Sequence, residues 1–171
     1  MLWAFPWGEP GTALEHRKGP EQWQIDQLRR VGEAVRAGGQ AGCVVQEDTV
    51  AGRGVGKSAL TSWWVLWAIS THKDTRGVVT ATTETQLRTK TWAELSKWYA
   101  MFIAKAFFKL TATSIFVAGD PEKEKAWRID AIPWSENNVE AFNAHRQLVN
   151  TSAQAAKSME RLASGFRINR A

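Results

Sequence analysis

The sequence predicts an α/β domain in which helices flank a sheet. Strand-like and helical segments alternate over residues 43–132, and a glycine-rich loop stands between one predicted strand and the next helix. The composition, with 44% hydrophobic and 23% charged residues, is that of an ordinary globular protein. It excludes disordered, collagen-like and low-complexity proteins, and 171 residues suffice for one domain with a substantial core.

The N-terminal third divides into an arm, a helix and a strand. Residues 1–21 contain three of the five prolines, which predicts an extended, turn-rich arm. A helical pattern of apolar residues follows and ends at the glycine pair Gly38-Gly39. Residues 43–50 then predict a strand, although two adjacent acids interrupt it.

Downstream of the glycine-rich loop, helical and strand-like patterns continue to alternate. The helix directly after the loop carries one apolar stripe, formed by Leu60, Trp63, Trp64 and Trp67. The next predicted elements are, in order, a strand over 77–81, a helix over 84–106, a strand over 107–117, a turn at 119–121, a returning strand over 125–132 and a short helix near Asn137. The inward-facing positions of the long helix are Trp92, Leu95, Tyr99, Phe102, Ile103 and Ala106.

The glycine-rich loop has the composition of a phosphate-binding loop, or P-loop. Its sequence is Ala51-Gly52-Arg53-Gly54-Val55-Gly56-Lys57-Ser58, and it departs from the full pattern because alanine stands where the first glycine is expected. Gly52, Gly54 and Gly56 allow backbone N–H groups to surround an anion at a helix N-terminus. Lys57 then reaches the β- and γ-phosphates of ATP, and the Ser58 hydroxyl holds Mg²⁺. These features predict nucleotide binding.

Arg53 lies inside the same loop. A guanidinium at this place reaches a γ-phosphate of the nucleotide and stabilises the charge that develops during phosphoryl transfer. The alternative is a solvated arginine on an exposed loop, and the loop sequence by itself does not choose between the two.

Several separate motifs resemble the large terminase subunit of tailed bacteriophages, in the order in which that family has them. They are 5–11 (Phe-Pro-Trp-Gly-Glu-Pro-Gly), 19–24 (Gly-Pro-Glu-Gln-Trp-Gln), 52–60, 80–98, 126–136 and 140–142. The resemblance extends over residues 1–142 almost without gaps. It implies an incomplete P-loop NTPase domain of the ASCE type, with helices flanking the sheet.

The resemblance also implies a function, partners and further site residues. The family's ATPase uses ATP and Mg²⁺ to drive double-stranded viral DNA into a preformed capsid. It works with the small terminase subunit and the portal, in the cytoplasm of a bacterial host. Trp23 and Gln24 match the family's adenine-recognition motif, although Trp23 is explained equally well as a core anchor. Arg53 matches a position where the family often has an arginine, whereas residues 80–83 are better explained as a strand end and a helix cap by Thr83.

Hydrolysis needs an acidic residue on a second strand, and the sequence offers none in the expected form. The nearest candidate downstream of Lys57 is Asp130, where Arg128 interrupts the apolar strand. We interpret Asp130 as a surface acid. The acids Glu47 and Asp48 precede the loop and therefore belong to the wrong strand. We expect this fragment to bind nucleotide and to hydrolyse it poorly or not at all.

The resemblance ends near residue 142, which suggests three regions. We expect an arm over 1–21, a partial P-loop ATPase domain over 22–142, and a tail over 143–171 that is foreign to the family because of a frameshift or truncation. Strands missing from the domain would expose apolar helix faces, among them the tryptophan stripe, and favour aggregation. Residues 151–171 supply +3 of the net charge of +5, so charge alone does not support DNA binding.

Two other functions remain open from the sequence. One is a stand-alone P-loop NTPase or helicase-like protein with an unusual acidic motif. The other is a non-catalytic module that binds nucleic acid or a capsid partner through its basic tail. The single cysteine, Cys43, excludes an intramolecular disulfide and fits a reducing cytosol. The three histidines lack the spacing of zinc ligands, and the longest apolar run is too short to span a bilayer, so neither zinc nor a membrane is expected.

Overall fold

In the part of the chain that the structure describes, four short strands form one mixed sheet in the order β1-β4-β3-β2. The computed structural model describes residues 2–38, 45–50, 52 and 54–134. The strands are β1 (Arg76–Val79), β2 (Phe108–Leu110), β3 (Ser114–Val117) and β4 (Arg128–Ala131). β4 runs parallel to β1 and antiparallel to β3, and β2 and β3 form a hairpin. The prediction of an α/β fold is confirmed at this level.

Five α-helices accompany the sheet in the described part of the chain. They are α1 (Gln22–Gly38), α2 (Lys57–Thr71), α3 (Glu84–Gln86), α4 (Ala93–Met101) and α5 (Pro121–Ala126). A π-helical segment, Leu87–Trp92, joins α3 to α4, and short 3₁₀ turns occupy Leu2–Ala4 and Lys105–Phe107. None of the helices in the described ranges is both long and apolar enough to cross a membrane.

The helix α2 covers one face of the sheet. Val79, Ile115 and Ile129 are buried on this face. Ile115 pairs directly with Ile129, and Val79 lies two residues after Gly77, which is the β1 partner of Ile129. Trp127 Nε1 donates to the Ile69 carbonyl at 2.8 Å and ties the start of β4 to the end of α2. Alternate residues face the other way, where Val78 is 40% exposed.

The centre of the core is a cluster of aromatic rings from three parts of the chain. Phe5 and Trp7 come from the arm, Trp63 from α2, and Trp98 and Phe102 from the end of α4. The Trp63 and Trp98 ring centroids lie 4.9 Å apart, and those of Phe5 and Trp98 lie 5.1 Å apart, both edge to face. The arm is turn-rich, as predicted, but it is folded back on itself and not extended, since the Gly8 N–H donates to the Leu14 carbonyl at 3.0 Å, and its rings pack in the core.

The predicted strand over 43–50 is wrong for its described residues, 45–50, which form no strand. This segment lies along α1 instead of entering the sheet. Arg30 of α1 pairs with Glu47 at 3.2 Å, and the Gln27 amide donates to the Thr49 hydroxyl. Val50 is fully exposed, so this apolar side chain is not buried in a sheet.

The predicted helix over 84–106 ends early, at Met101. Phe102 has extended backbone, and the next amide, that of Ile103, donates to the Ala4 carbonyl of the arm at 3.0 Å. Ile103 is 76% exposed and Ala106 is also exposed, so neither faces the core as predicted. A tertiary contact with the arm therefore ends the helix before its apolar pattern does.

Two further segments differ from the prediction. The predicted strand over 107–117 is instead a hairpin over 108–117, preceded by the 3₁₀ turn that ends at Phe107. Thr111 makes the turn of the hairpin, since its N–H donates to the Ser114 carbonyl at 2.8 Å. The returning strand begins only at Arg128, because α5 precedes it. Asp120 caps α5 by accepting a hydrogen bond from the Glu122 N–H at 3.0 Å. The short helix near Asn137 and the tail over 143–171 lie outside the described residues.

The helix α2 is buried around most of its circumference. Leu60 and Trp63 of the predicted stripe are buried, whereas Trp64 and Trp67 are half-buried. A second face is buried as well, at Ala59, Ser62, Val65, Leu66 and Ile69. A helix that is apolar on nearly all sides belongs inside a domain, so the single stripe describes it incompletely.

Candidate phosphate-binding loop

The loop before α2 has the backbone conformation that its glycines permit. Gly54 has a φ of +79° and Gly56 a φ of +89°, both in the left-handed region that side chains rarely adopt. A Cβ added at Gly52 or Gly54 would meet no heavy atom within 4 Å, so the chain here borders open space. The loop therefore leaves room for a ligand to approach its backbone. Ala51 and Arg53 lie outside the described residues, and the predicted role of Arg53 stays a prediction.

The helix α2 begins directly after the loop, at Lys57. Its N-cap residue, Gly56, has no side chain with which to cap the first turn. The first helical hydrogen bond runs from the Leu60 N–H to the Gly56 carbonyl at 3.1 Å. A helix N-terminus of this kind presents backbone N–H groups and the positive end of the helix dipole to an anion.

Lys57 and Ser58 occupy the first turn of α2, as the motif requires. The Lys57 ammonium donates to the Gly52 carbonyl and so bends back over the loop. The Ser58 side chain is exposed, while its carbonyl accepts from the Ser62 hydroxyl at 2.8 Å. The structure thus brings the cation and the hydroxyl of the motif to the same end of α2 as Gly54 and Gly56.

Gln24 contacts the loop from α1. Its side chain is 4% exposed. Its amide nitrogen donates to the Gly56 carbonyl at 3.1 Å, and its amide oxygen accepts from the Glu21 N–H at 2.9 Å. Its neighbour Trp23 is half-buried and packs against the core. The predicted adenine contacts of both residues stay predictions, and the bond between Gln24 and the loop was not foreseen.

The loop lies at the edge of the sheet where the parallel strands β1 and β4 end. The other end of α2 is fixed near the start of these strands, because the Thr75 hydroxyl donates to the Ala68 carbonyl at 3.0 Å. The helix and the strands therefore run in opposite directions. Ligands of open α/β sheets bind beyond the carboxyl ends of the strands, which is where this loop lies.

Thr80, Thr82 and Thr83 follow β1 at the same edge of the sheet. Thr83 caps α3, since its hydroxyl oxygen accepts from the Gln86 N–H at 3.1 Å. The Thr82 hydroxyl donates to the Gln86 amide oxygen at 3.0 Å. The prediction that Thr83 serves as a helix cap is confirmed.

Asp130 points away from the loop. It alternates with the buried Ile129 along β4, so its carboxylate lies on the sheet face opposite α2. Arg128 Nε donates to both carboxylate oxygens at 3.0 Å. This hydrogen bonding raises the pKa of the Arg128 guanidinium above its usual value. Asp130 is therefore a half-buried acid on the returning strand, with an ion-pair partner that the sequence did not predict.

Two further features of the described residues bear on ligands. No group of three or more His, Cys, Asp or Glu side chains within them is arranged to hold a metal ion. An open groove of about 390 Å³ lies between α1 and α2, and its lining includes Trp3, Ile25, Leu28, Trp64 and Trp67. None of its lining residues belongs to the glycine-rich loop.

Comparison with protein-family models, curated proteins and solved structures gives no match.

Proposed function

We propose that this chain is the nucleotide-binding part of the ATPase domain of a bacteriophage terminase large subunit, a P-loop NTPase of the ASCE type. The single observation that supports this most is the loop at the start of α2. Gly54 and Gly56 have left-handed backbone, and Lys57 and Ser58 follow at once in the first helical turn. This arrangement lies at the carboxyl edge of two parallel strands, where a polyphosphate fits.

The residues of the loop fit the triphosphate of ATP. Open space at Gly52 and Gly54 allows phosphate oxygens to approach the backbone N–H groups. The Lys57 ammonium, now on the Gly52 carbonyl, exchanges that neutral acceptor for an anionic phosphate oxygen. The Ser58 hydroxyl is exposed at the same helix end and supplies an oxygen ligand for the Mg²⁺ that accompanies ATP. Magnesium neutralises part of the phosphate charge when it is bound.

Hydrolysis requires two groups that binding does not, a carboxylate that positions the attacking water and another that supports the metal. Asp130 lies on the opposite face of the sheet and is bonded to Arg128. Downstream of Lys57 the sequence contains no apolar strand that ends in an acidic pair. We therefore propose that the chain binds ATP and turns it over slowly or not at all. Double-stranded DNA, the small terminase subunit and the portal are the partners of the complete motor.

Titration calorimetry with Mg-ATP tests this proposal. We expect the wild-type chain to bind, and Lys57→Ala to bind about tenfold or more weakly, since a hydrogen bond from a charged group contributes about 1.5–3 kcal/mol. Lys73→Ala is the matched control, because it removes the same charge just beyond the far end of α2 and leaves the loop intact. Phosphate release from ATP should be slow, or no faster than the rate without protein.

Other outcomes would favour the other functions. Failure of the wild-type chain to bind Mg-ATP would refute the proposal. Rapid turnover that Lys57→Ala abolishes would indicate a complete stand-alone NTPase. Binding of nucleic acid that falls steeply with salt and does not respond to Lys57→Ala would indicate a non-catalytic basic module.

A further inference from the structure

The buried amide of Gln24 connects two parts of the backbone that are far apart in the sequence. Its oxygen accepts from the Glu21 N–H at the start of α1, and its nitrogen donates to the Gly56 carbonyl, 32 residues away. Only 4% of the Gln24 surface is exposed, so neighbouring residues enclose its side chain. Both bonds are made to the main chain, so the contact depends on the position of the backbone and not on a side chain of the loop.

The contact with Gly56 is close. The Gly56 carbonyl accepts from the Leu60 N–H and from Gln24 Nε2, each at 3.1 Å. A Cβ added at residue 56 would lie 2.7 Å from Gln24 Nε2, a distance shorter than Cβ atoms keep from other heavy atoms in proteins. Glycine at this position therefore serves two needs, the left-handed backbone and the approach of the Gln24 amide.

The bond also fixes the next N–H group of the loop. The Gly56 carbonyl and the Lys57 N–H belong to one planar trans peptide and point in opposite directions. When Gln24 and Leu60 hold the carbonyl oxygen, the direction of the Lys57 N–H is set as well. A backbone N–H that is oriented before the ligand arrives loses less entropy when it binds an anion.

We propose that Gln24 is a positioning residue for the phosphate-binding loop, acting through the peptide between Gly56 and Lys57 on the polyphosphate part of the ligand. This inference rests on the proposed function and deepens it. Its consequence is that Gln24 strengthens binding of any polyphosphate, with or without a base. A residue that only contacts adenine would strengthen binding of ATP and leave tripolyphosphate unaffected.

Titration calorimetry with two probes, Mg-ATP and Mg-tripolyphosphate, separates these cases. We expect Gln24→Met, which keeps the side-chain length and removes both hydrogen bonds, to weaken both ligands by a similar factor of about ten. The matched control is Gln27→Met on the same helix. Gln27 is equally buried, at 3% exposure, but its amide bonds Thr49 and Arg30 and not the loop. This control should lose stability without losing affinity for either probe.

A second variant and a second measurement protect the test against simple misfolding. Gln24→Glu keeps an acceptor for the Glu21 N–H but has no donor for the Gly56 carbonyl, and its negative charge also opposes an anion, so it should weaken both probes at least as much as Gln24→Met does. Without any ligand, hydrogen exchange of the Leu60 amide should be faster in both Gln24 variants and unchanged in Gln27→Met, because only the Gln24 variants remove a partner of the Gly56 carbonyl, the group that the Leu60 N–H bonds.

The possible results decide between the hypotheses. Loss of ATP affinity with unchanged tripolyphosphate affinity would overturn the inference and indicate an adenine contact. Equal losses in Gln24→Met and Gln27→Met would also overturn it, since they would show a general loss of structure. If the wild-type chain binds neither probe, the proposed function itself is refuted, and the inference with it.

Discussion

Replacing Phe5 by alanine tests whether the N-terminal arm is part of the core. The ring is 7% exposed and lies within contact of four aromatic rings, with centroid distances from 5.1 Å (Trp98) to 6.4 Å (Trp63). Truncating a buried phenylalanine removes its transfer free energy and leaves a cavity, which together cost about 3–5 kcal/mol. We take about 4 kcal/mol as the expected loss, a large fraction of the roughly 5–15 kcal/mol that stabilises a typical domain.

Urea unfolding followed by circular dichroism measures this loss. With a slope of about 2 kcal/mol per molar urea, the midpoint should fall by about 2 M. Trp3→Ala is the matched control in the same arm, because Trp3 is 94% exposed. It should change the free energy of unfolding by less than about 0.5 kcal/mol. If Phe5→Ala cost no more than Trp3→Ala, the arm would not be packed in the aromatic cluster, and the reasoning would be refuted.

Two further predictions concern a helix cap and a buried indole. The hydrogen bond from the Glu122 N–H is the main cause that lowers the pKa of the Asp120 carboxyl below 3.8 in the folded chain. The ionised carboxylate therefore stabilises the fold above pH 3.8, and this stabilisation is lost as the pH falls through the pKa of the folded state. Asp120→Asn, which caps without ionising, should therefore lose less stability than the wild type between about pH 7 and pH 3 in urea unfolding, and equal losses would contradict this. Trp92 Nε1 donates to the Thr111 carbonyl at 2.8 Å, so Trp92→Phe should lower the free energy of unfolding by about 1–3 kcal/mol. Trp134→Phe, at a residue that is 59% exposed, is its control, and an equal effect in both variants would contradict the role of this bond.

The parts of the fold that follow from local patterns were predictable. The apolar periodicity gives α1 and α2, and the run of glycines gives the loop between the strand-like segment and α2. Asp120-Pro121 carries the signals of a helix start, an acidic N-cap followed by proline at the first helical position, so α5 was available from the sequence and was missed.

Other features depend on partners that are distant in the sequence. The apolar pattern continues past Met101, yet the helix ends there, and the Ile103 N–H bonds the Ala4 carbonyl of the arm. Residues 45–50 have the β-branched composition of a strand, but Arg30 holds Glu47 beside α1. Neither contact has a local signature, and tertiary contacts override propensity at both places.

The candidate site also combines residues that a local motif predicts with a contact that no local motif predicts. The glycines, Lys57 and Ser58 were found because a phosphate-binding loop is a continuous motif with its own spacing. Gln24 was singled out for a different role, and its bond with Gly56 spans 32 residues. No local pattern shows that a buried amide of α1 meets a carbonyl of the loop, because that meeting depends on how the two helices pack.

The place of the arm in the aromatic cluster also matters while the chain is being synthesised. Phe5 is made about 90 residues before Trp98, its nearest aromatic partner. At translation rates of about 5–20 residues per second, the interval is about 5–20 s. During this time Phe5 and Trp7 have no complete site in which to pack. Phe5 and Trp7 therefore expose apolar surface until α4 has been made, and transient exposure of this kind favours aggregation.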